Sequence, residues 1–89
     1  MWKIKNTFTI FDKDGNILSK DVNISQDTFG RFANVWEEVS SRGLEILMDV
    51  RENIDPNAEM IGSTNHIKIK YDLKEDQRGE VEIRFIQVK

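Results

Sequence analysis

A regular alternation of apolar and polar residues on the N-terminal side of a short polar turn constrains this chain more than any other feature. Apolar side chains occupy the even positions from 2 to 10 with one exception, and the odd positions between them carry lysine or threonine. A period of two is typical of a strand with one buried face. Residues 12–16 then supply turn chemistry, because Gly15 and Asn16 both accept a positive φ. The pattern predicts a β-hairpin whose first strand runs from Trp2 to Phe11.

The register of this hairpin follows from folding the chain back about Asp14. That register places the apolar side chains of both arms on one face, as a strand pair with a single buried face requires. The lysine stem opposite the first-arm phenylalanine can lie along its ring while the ammonium group reaches water. The predicted pairs are Ile10 with Leu18, Phe8 with Lys20, Asn6 with Val22 and Ile4 with Ile24.

After this hairpin the hydrophobic period changes to that of a helix. Ser25 is a suitable N-cap, and apolar residues then recur at spacings of three and four. Gly43 suits the position just past a helix C-terminus, where glycine adopts the left-handed conformation without a Cβ penalty. We therefore predict a helix over residues 26–42. Its expected buried stripe comprises Phe29, Phe32, Ala33, Trp36, Val39 and Ser40.

The remaining chain predicts a strand, a loop and a second hairpin. Alternation over residues 44–51 predicts a third strand, and the polar, proline-containing stretch 53–66 predicts a loop of a length that is often functional or mobile. Residues 67–73 and 81–85 alternate around a turn at 75–79. At Phe85 and Ile86 the alternation slips, which indicates either a bulge or burial of both faces.

The predicted order is β-β-α-β-β-β, which is typical of an α+β domain with two layers. We expect a five-stranded, largely antiparallel or mixed sheet with one helix packed on one face. A chain of 89 residues that is 38% hydrophobic and 33% charged is expected to form a single domain, residues 1–89. The order of the first hairpin and helix, as far as Val50, resembles a β-grasp (ubiquitin-like) roll. Such a resemblance implies a fold and carries no function.

Composition excludes several classes of protein. With no cysteine, the chain has neither a disulfide framework nor a thiolate metal site, which fits a reducing compartment and predicts a cytoplasmic location. No apolar run approaches the roughly 20 residues that span a bilayer, and the N-terminal residues lack a signal-peptide core. A net charge of −3, from 13 basic and 16 acidic residues, is too modest for a polyanion binder.

No residue pattern predicts catalysis or a bound cofactor. The Asp12–Gly15 cluster lacks the ligand spacing of a calcium loop, so turn chemistry explains it. His66 is the only imidazole, and no acid is placed by the sequence to orient it as a base. Glu80 and Glu82 share a strand face with lysines opposite, which predicts cross-strand ion pairs rather than general acid–base catalysis. We therefore expect a protein without a catalytic residue, metal or cofactor.

Two apolar features are candidates for recognition of another protein. One is an outward-facing pair beside the first turn, and the other lies in the acidic 53–66 loop; packing within the domain is the alternative for both. We predict a non-catalytic protein-binding module, such as an adaptor, subunit or stoichiometric inhibitor of the kind that phages and mobile elements encode. It would act through a sheet edge, the first hairpin tip or the 53–66 loop, and the same edges make a homodimer an option. The candidate residues are Phe11, Ile17, Glu59, Met60 and Ile61.

The alternative function is nucleic-acid binding through lysines on the outer face of the sheet. Outward-facing positions of all predicted strands carry seven basic and six acidic residues, a net charge of +1. A phosphate track needs a more one-sided stripe with interleaved aromatic residues, so this hypothesis ranks second. Its candidate residues are Lys3, Lys5, Lys68, Lys70, Lys74 and Arg84.

Overall fold

The computed structural model describes residues 2–27, 35–63 and 66–87, which form one antiparallel five-stranded sheet and one helix. The strand order in the sheet is β2-β1-β5-β4-β3. The elements are β1 (Trp2–Phe11), β2 (Ile17–Asp27), α1 (Val35–Asn53), β3 (Glu59–Ser63), β4 (His66–Asp72) and β5 (Arg78–Gln87). The predicted α+β class and the order β-β-α-β-β-β are confirmed. The resemblance to a β-grasp roll extends no further than this order.

The first hairpin forms as predicted, and its turn is organised by Asp12. The Asp12 Oδ1 atom accepts hydrogen bonds from the backbone N–H groups of Asp14 at 2.9 Å and Asn16 at 2.8 Å. Gly15 has a φ of 86°, a conformation that glycine adopts at little cost. The Asp12–Gly15 cluster is therefore a turn, as its residue types indicated.

The predicted register of this hairpin is wrong by one residue. Ile10 pairs with Ser19 and Phe11 pairs with Ile17, so Leu18 is an extra residue that forms a β-bulge. From β1 residue 10 back to residue 2, every partner lies one position further along β2 than predicted. The observed pairs include Phe8 with Asp21, Asn6 with Asn23 and Ile4 with Ser25.

This shift reverses the faces of β2. Side chains alternate with a period of two, so a one-residue slip moves each of them to the other side of the sheet. Asp21 and Asn23 now share the face of Ile4, a core residue, whereas Val22 and Ile24 lie on the opposite face. The apolar residues of β2 therefore do not join the core.

The helix lies further along the chain than predicted. Residues 26 and 27 end β2, and α1 continues through Gly43 to Asn53. The predicted strand over 44–51 is therefore wrong, since it is the C-terminal half of α1. Gly43, Leu47 and Val50 also fit a helical spacing of four and three, and the intervening residues are mostly good helix formers. The proposed stripe residues Phe29, Phe32 and Ala33, and the side chains of Trp36 and Val39, lie outside the described residues.

Gly43 lets α1 approach the sheet closely. A Cβ atom at this position would lie 2.7 Å from Ile67 Cδ1 and 3.2 Å from Met60 Sδ. In the last turn of α1, the Nε–H of Arg51 donates to the carbonyl oxygen of Ala58 at 3.0 Å, which ties the helix to the start of β3. Close packing and this hydrogen bond thus join α1 to β3 and β4.

The core lies between α1 and one half of the sheet. Over the described residues, α1 contacts β3, β4 and β5 but neither β1 nor β2. The molecule measures 45 × 23 × 18 Å, so it is markedly elongated. No helix in the described ranges is long and apolar enough to cross a lipid bilayer. The buried core residues are Ile4, Leu47, Val50, Ala58, Ile67, Ile69, Val81, Ile83 and Phe85.

The predicted final hairpin, β4 with β5, is confirmed. Two other predictions, for the loop before β4 and for the end of β5, are wrong. The predicted loop 53–66 contains β3, which pairs with β4. Neither a bulge nor burial of both faces occurs at the end of β5, because its pairing with β1 continues unbroken to Gln87. Phe85 is fully buried, and Ile86 on the other face is 42% exposed.

Candidate functional site: the open sheet face and its free edge

The face of the sheet that points away from α1 is termed the open face. Its residues follow from the register of the five strands, since directly paired residues point to the same side. Half of every strand therefore contributes to this surface. The open face comprises Lys3, Lys5, Thr7, Thr9, Phe11, Ile17, Lys20, Val22, Ile24, Glu59, Ile61, Ser63, His66, Lys68, Lys70, Asp72, Arg78, Glu80, Glu82, Arg84 and Ile86.

Four of the five predicted protein-binding residues share the open face. Phe11 and Ile17 are directly paired beside the first turn, while Glu59 and Ile61 lie on β3 at the opposite edge of the sheet. Met60 points to the other side and packs, half-buried, against the core. Met60 therefore packs within the domain, which was the alternative to recognition of another protein, whereas the other four side chains are at least partly exposed.

The edge strand β2 carries four exposed apolar side chains and, among the described strands, pairs with β1 alone. Ile17, Leu18, Val22 and Ile24 are 57%, 53%, 49% and 59% exposed. Sequence reasoning identified only the first of these, because the assumed register turned the others toward the core. The sequence signal for this arrangement was the adjacent apolar pair Ile17 and Leu18. Either residue can begin the alternation of β2, so the pattern allows the later apolar residues of β2 to lie on either face of the sheet.

The open face is more basic than the sequence predicted. It carries seven basic and four acidic side chains, a net charge of +3 rather than +1. Asp21 faces the helix side, and Glu45, Asp49 and Arg51 belong to α1. Because the whole chain has a net charge of −3, the rest of the molecule carries −6. The basic residues of the face are Lys3, Lys5, Lys20, Lys68, Lys70, Arg78 and Arg84.

Glu82 lies at the centre of a cluster of polar side chains on the open face. Its carboxylate lies 3.4 Å from His66 Nε2, 3.6 Å from an Arg84 guanidinium nitrogen and 4.0 Å from Lys68 Nζ. Lys68 Nζ also lies 3.0 Å from Glu80 Oε1, which confirms the predicted cross-strand ion pairs. Such partly exposed pairs each contribute less than about 1 kcal/mol. These contacts offset opposite charges in the middle of the open face.

An open groove of about 590 Å³ lies at the end of the sheet nearest the first turn. It brings Phe11 and Glu59 together with Tyr71, whose pKa is raised by burial. At its rim the Asp55 carboxylate accepts backbone hydrogen bonds from Asp72 at 2.8 Å and from Asn57 at 2.9 Å. Asp55 therefore anchors the loop before β3 to the end of β4.

These two anchoring carboxylates predict how stability depends on pH. The backbone N–H of Asp72 lowers the pKa of Asp55, and that of Asn16 lowers the pKa of Asp12. A carboxyl group with a pKa below its unfolded value of 3.8 stabilises the fold above that value, and this contribution is lost as the pH falls through the folded pKa. We expect the urea midpoint to fall as the pH drops below about 4. The urea midpoint of the Asp55→Asn variant should fall less over this pH range than that of the wild type. An equal fall in both proteins would contradict the stabilising role of the Asp55 carboxylate.

The described parts of the chain contain no group of three or more histidine, cysteine or acidic residues arranged to hold a metal ion. His66, the one imidazole, is not among the groove residues and faces a single carboxylate on the open face. No family model, curated protein or solved structure matches this chain.

Proposed function

We propose that this protein is a non-catalytic protein-binding module, an adaptor, subunit or stoichiometric inhibitor, that receives an extended protein segment on the free edge of β2. One observation carries the proposal. Four exposed apolar side chains lie on one strand, and that strand is the long edge of the sheet. The proposal places the module in the cytoplasm, among small accessory proteins of the kind that phages and mobile elements encode.

An edge strand offers two sources of binding free energy. Its outward N–H and C=O groups can continue the ladder with a partner strand, and its alternate side chains contact those of the partner. Val22 and Ile24 lie on the open face, two residues apart, so both would meet the same partner segment. Apolar area removed from water contributes about 25 cal/mol per Å².

The β2 edge suits this role better than the opposite edge. β2 has 11 residues, whereas β3 has five. The usual protection of an edge by proline is absent from β2, and Lys20 is the only lysine in the strand. A long edge strand with four exposed apolar side chains and no proline supports association with another strand.

The test is affinity capture with the tagged protein and matched variants. We expect one protein to be recovered from lysate in equal stoichiometry by the wild type and by Met48→Lys, a control at an apolar α1 position that is 67% exposed. The double variant Val22→Lys/Ile24→Lys should lose it. Phe11→Asp and Ile61→Asp test the hairpin tip and β3. Recovery by the double variant at the wild-type level would contradict binding at β2.

Nucleic-acid binding through the open face is the second candidate, favoured by the net charge of +3 on that face. Lys3, Lys5, Lys68, Lys70 and Arg84 share it, and Lys74 lies in the turn after β4. The ion pairs of Lys68 and Arg84 with Glu80 and Glu82 oppose it. Fluorescence titration with single- and double-stranded DNA and RNA at two salt concentrations separates the candidates. Tight binding with a steep salt dependence would favour nucleic acid over protein.

A further inference from the structure

We infer that the segment received by β2 is the β2 strand of a second copy of this chain, in an antiparallel pair with its two-fold axis at Asn23. This inference rests on the proposed function, because it names the partner of the same edge. Two five-stranded sheets would then join into one sheet of ten strands. The interface is isologous, so the same residues contribute from both subunits.

Symmetry restricts the registers that two copies can adopt. A two-fold axis perpendicular to the sheet keeps the open faces of both copies on the same side. Each β2 residue therefore meets a partner residue of the same face. An axis at Lys20 would oppose two lysines, and an axis at Asp21 would oppose two aspartates. Like charges directly opposite each other destabilise a strand pair, so charge disfavours both registers.

The axis at Asn23 joins the apolar side chains most completely. In that register Val22 lies opposite Ile24 of the partner subunit, and Ile24 lies opposite Val22 of the partner subunit. Four half-exposed apolar side chains thus form one cluster on the joined open face. On the other face Asn23 meets its own copy, and an amide can both donate to and accept from an identical amide. An axis at Val22 would instead place Lys20 opposite Ile24 and divide the cluster.

The position of α1 leaves room for this assembly. The helix contacts β3, β4 and β5, and β1 separates β5 from β2. With strands about 4.8 Å apart, the nearest strand under α1 lies about 10 Å from the joining edge. Over the described residues, the two helices would therefore lie at opposite ends of the ten-stranded sheet.

Sedimentation equilibrium of the purified full chain tests the dimer. We expect a mass twice that of the 10.4 kDa chain for the wild type and for the Met48→Lys control. Val22→Lys/Ile24→Lys should raise the dimer dissociation constant by at least about tenfold, because it removes the cluster and opposes lysines. A wild-type monomer from micromolar to millimolar concentration would overturn the dimer. Loss of lysate capture in the double variant would still support the proposed function in that case.

A cysteine crosslink tests the register. The chain has no cysteine, so Asn23→Cys introduces a single thiol, and directly paired strand residues have Cα atoms about 5 Å apart, within reach of a disulfide. We expect Asn23→Cys to form a disulfide-linked dimer under mild oxidation. Ser19→Cys should not form such a disulfide, because in this register Ser19 lies eight residues along the strand from Ser19 of the partner subunit. The reverse result, or equal crosslinking, would overturn the axis at Asn23.

Discussion

Phe85→Ala is expected to cost about 3–5 kcal/mol of unfolding free energy, the range for removing a buried aromatic side chain. Phe85 is 0% exposed and lies opposite Ile4 in the ladder between β5 and β1. Since a domain of this length has a total stability of roughly 4–13 kcal/mol, the expected loss is a large fraction of the total. Urea denaturation followed by circular dichroism measures the loss.

Ile86→Ala is the matched control, because Ile86 is the next residue on the same strand but lies on the open face. We expect it to cost about 1 kcal/mol or less, as is usual for exposed positions. Phe85→Leu, which retains much of the apolar volume, should fold and show an intermediate loss. Equal costs for Phe85→Ala and Ile86→Ala would contradict the assignment of a single buried face at this end of β5.

Gly43→Val is expected to destabilise the protein by about 1–3 kcal/mol, the cost of forcing extra atoms into a packed core. The new Cβ would lie 2.7 Å from Ile67 Cδ1 and 3.0 Å from Ile67 Cγ2, so either α1 or β4 must move. The better helix propensity of a non-glycine residue, worth up to about 1 kcal/mol, opposes this cost without cancelling it. Thermal and urea unfolding both measure the net effect.

Leu44→Val is the control for the change in helix propensity, because Leu44 is the neighbouring helix residue and is 48% exposed. It should change stability by only a few tenths of a kcal/mol. The double variant Gly43→Val/Ile67→Val should lose less than the sum of the two single variants, since the shorter side chain relieves the overlap. A Gly43→Val protein as stable as the wild type would show that α1 does not lie so close to β4.

Local alternation was sufficient to predict both hairpins. In β1, β4 and β5 a period of two is clear, and the turn residues between the arms have chemistry that suits their conformation. The helix was placed too early because residues 44–50 satisfy both periods. Alternation and helical spacing coincide there, and the close approach of Gly43 to Ile67 belongs to the helical arrangement alone. That contact joins residues far apart in the chain, so no local pattern contains it.

The candidate site was predicted only in part for a similar reason. Phe11 and Ile17 flank the turn directly, so their predicted pairing is correct although the register beyond them is wrong. The face on which Val22 and Ile24 lie depends on every residue between them and the turn. The one bulge residue, Leu18, was therefore enough to put them on the wrong face in the prediction. Their exposure is a property of the whole ladder rather than of their immediate neighbours.

Leu18 therefore has an influence beyond its own surroundings. If Leu18 instead paired with Ile10 and the ladder continued without a bulge, Val22 and Ile24 would lie on the helix side of the sheet, and Asp21 and Asn23 would lie on the open face. One irregular position beside the turn thus decides whether the rim of the sheet presents hydrocarbon or hydrogen-bonding groups to solvent.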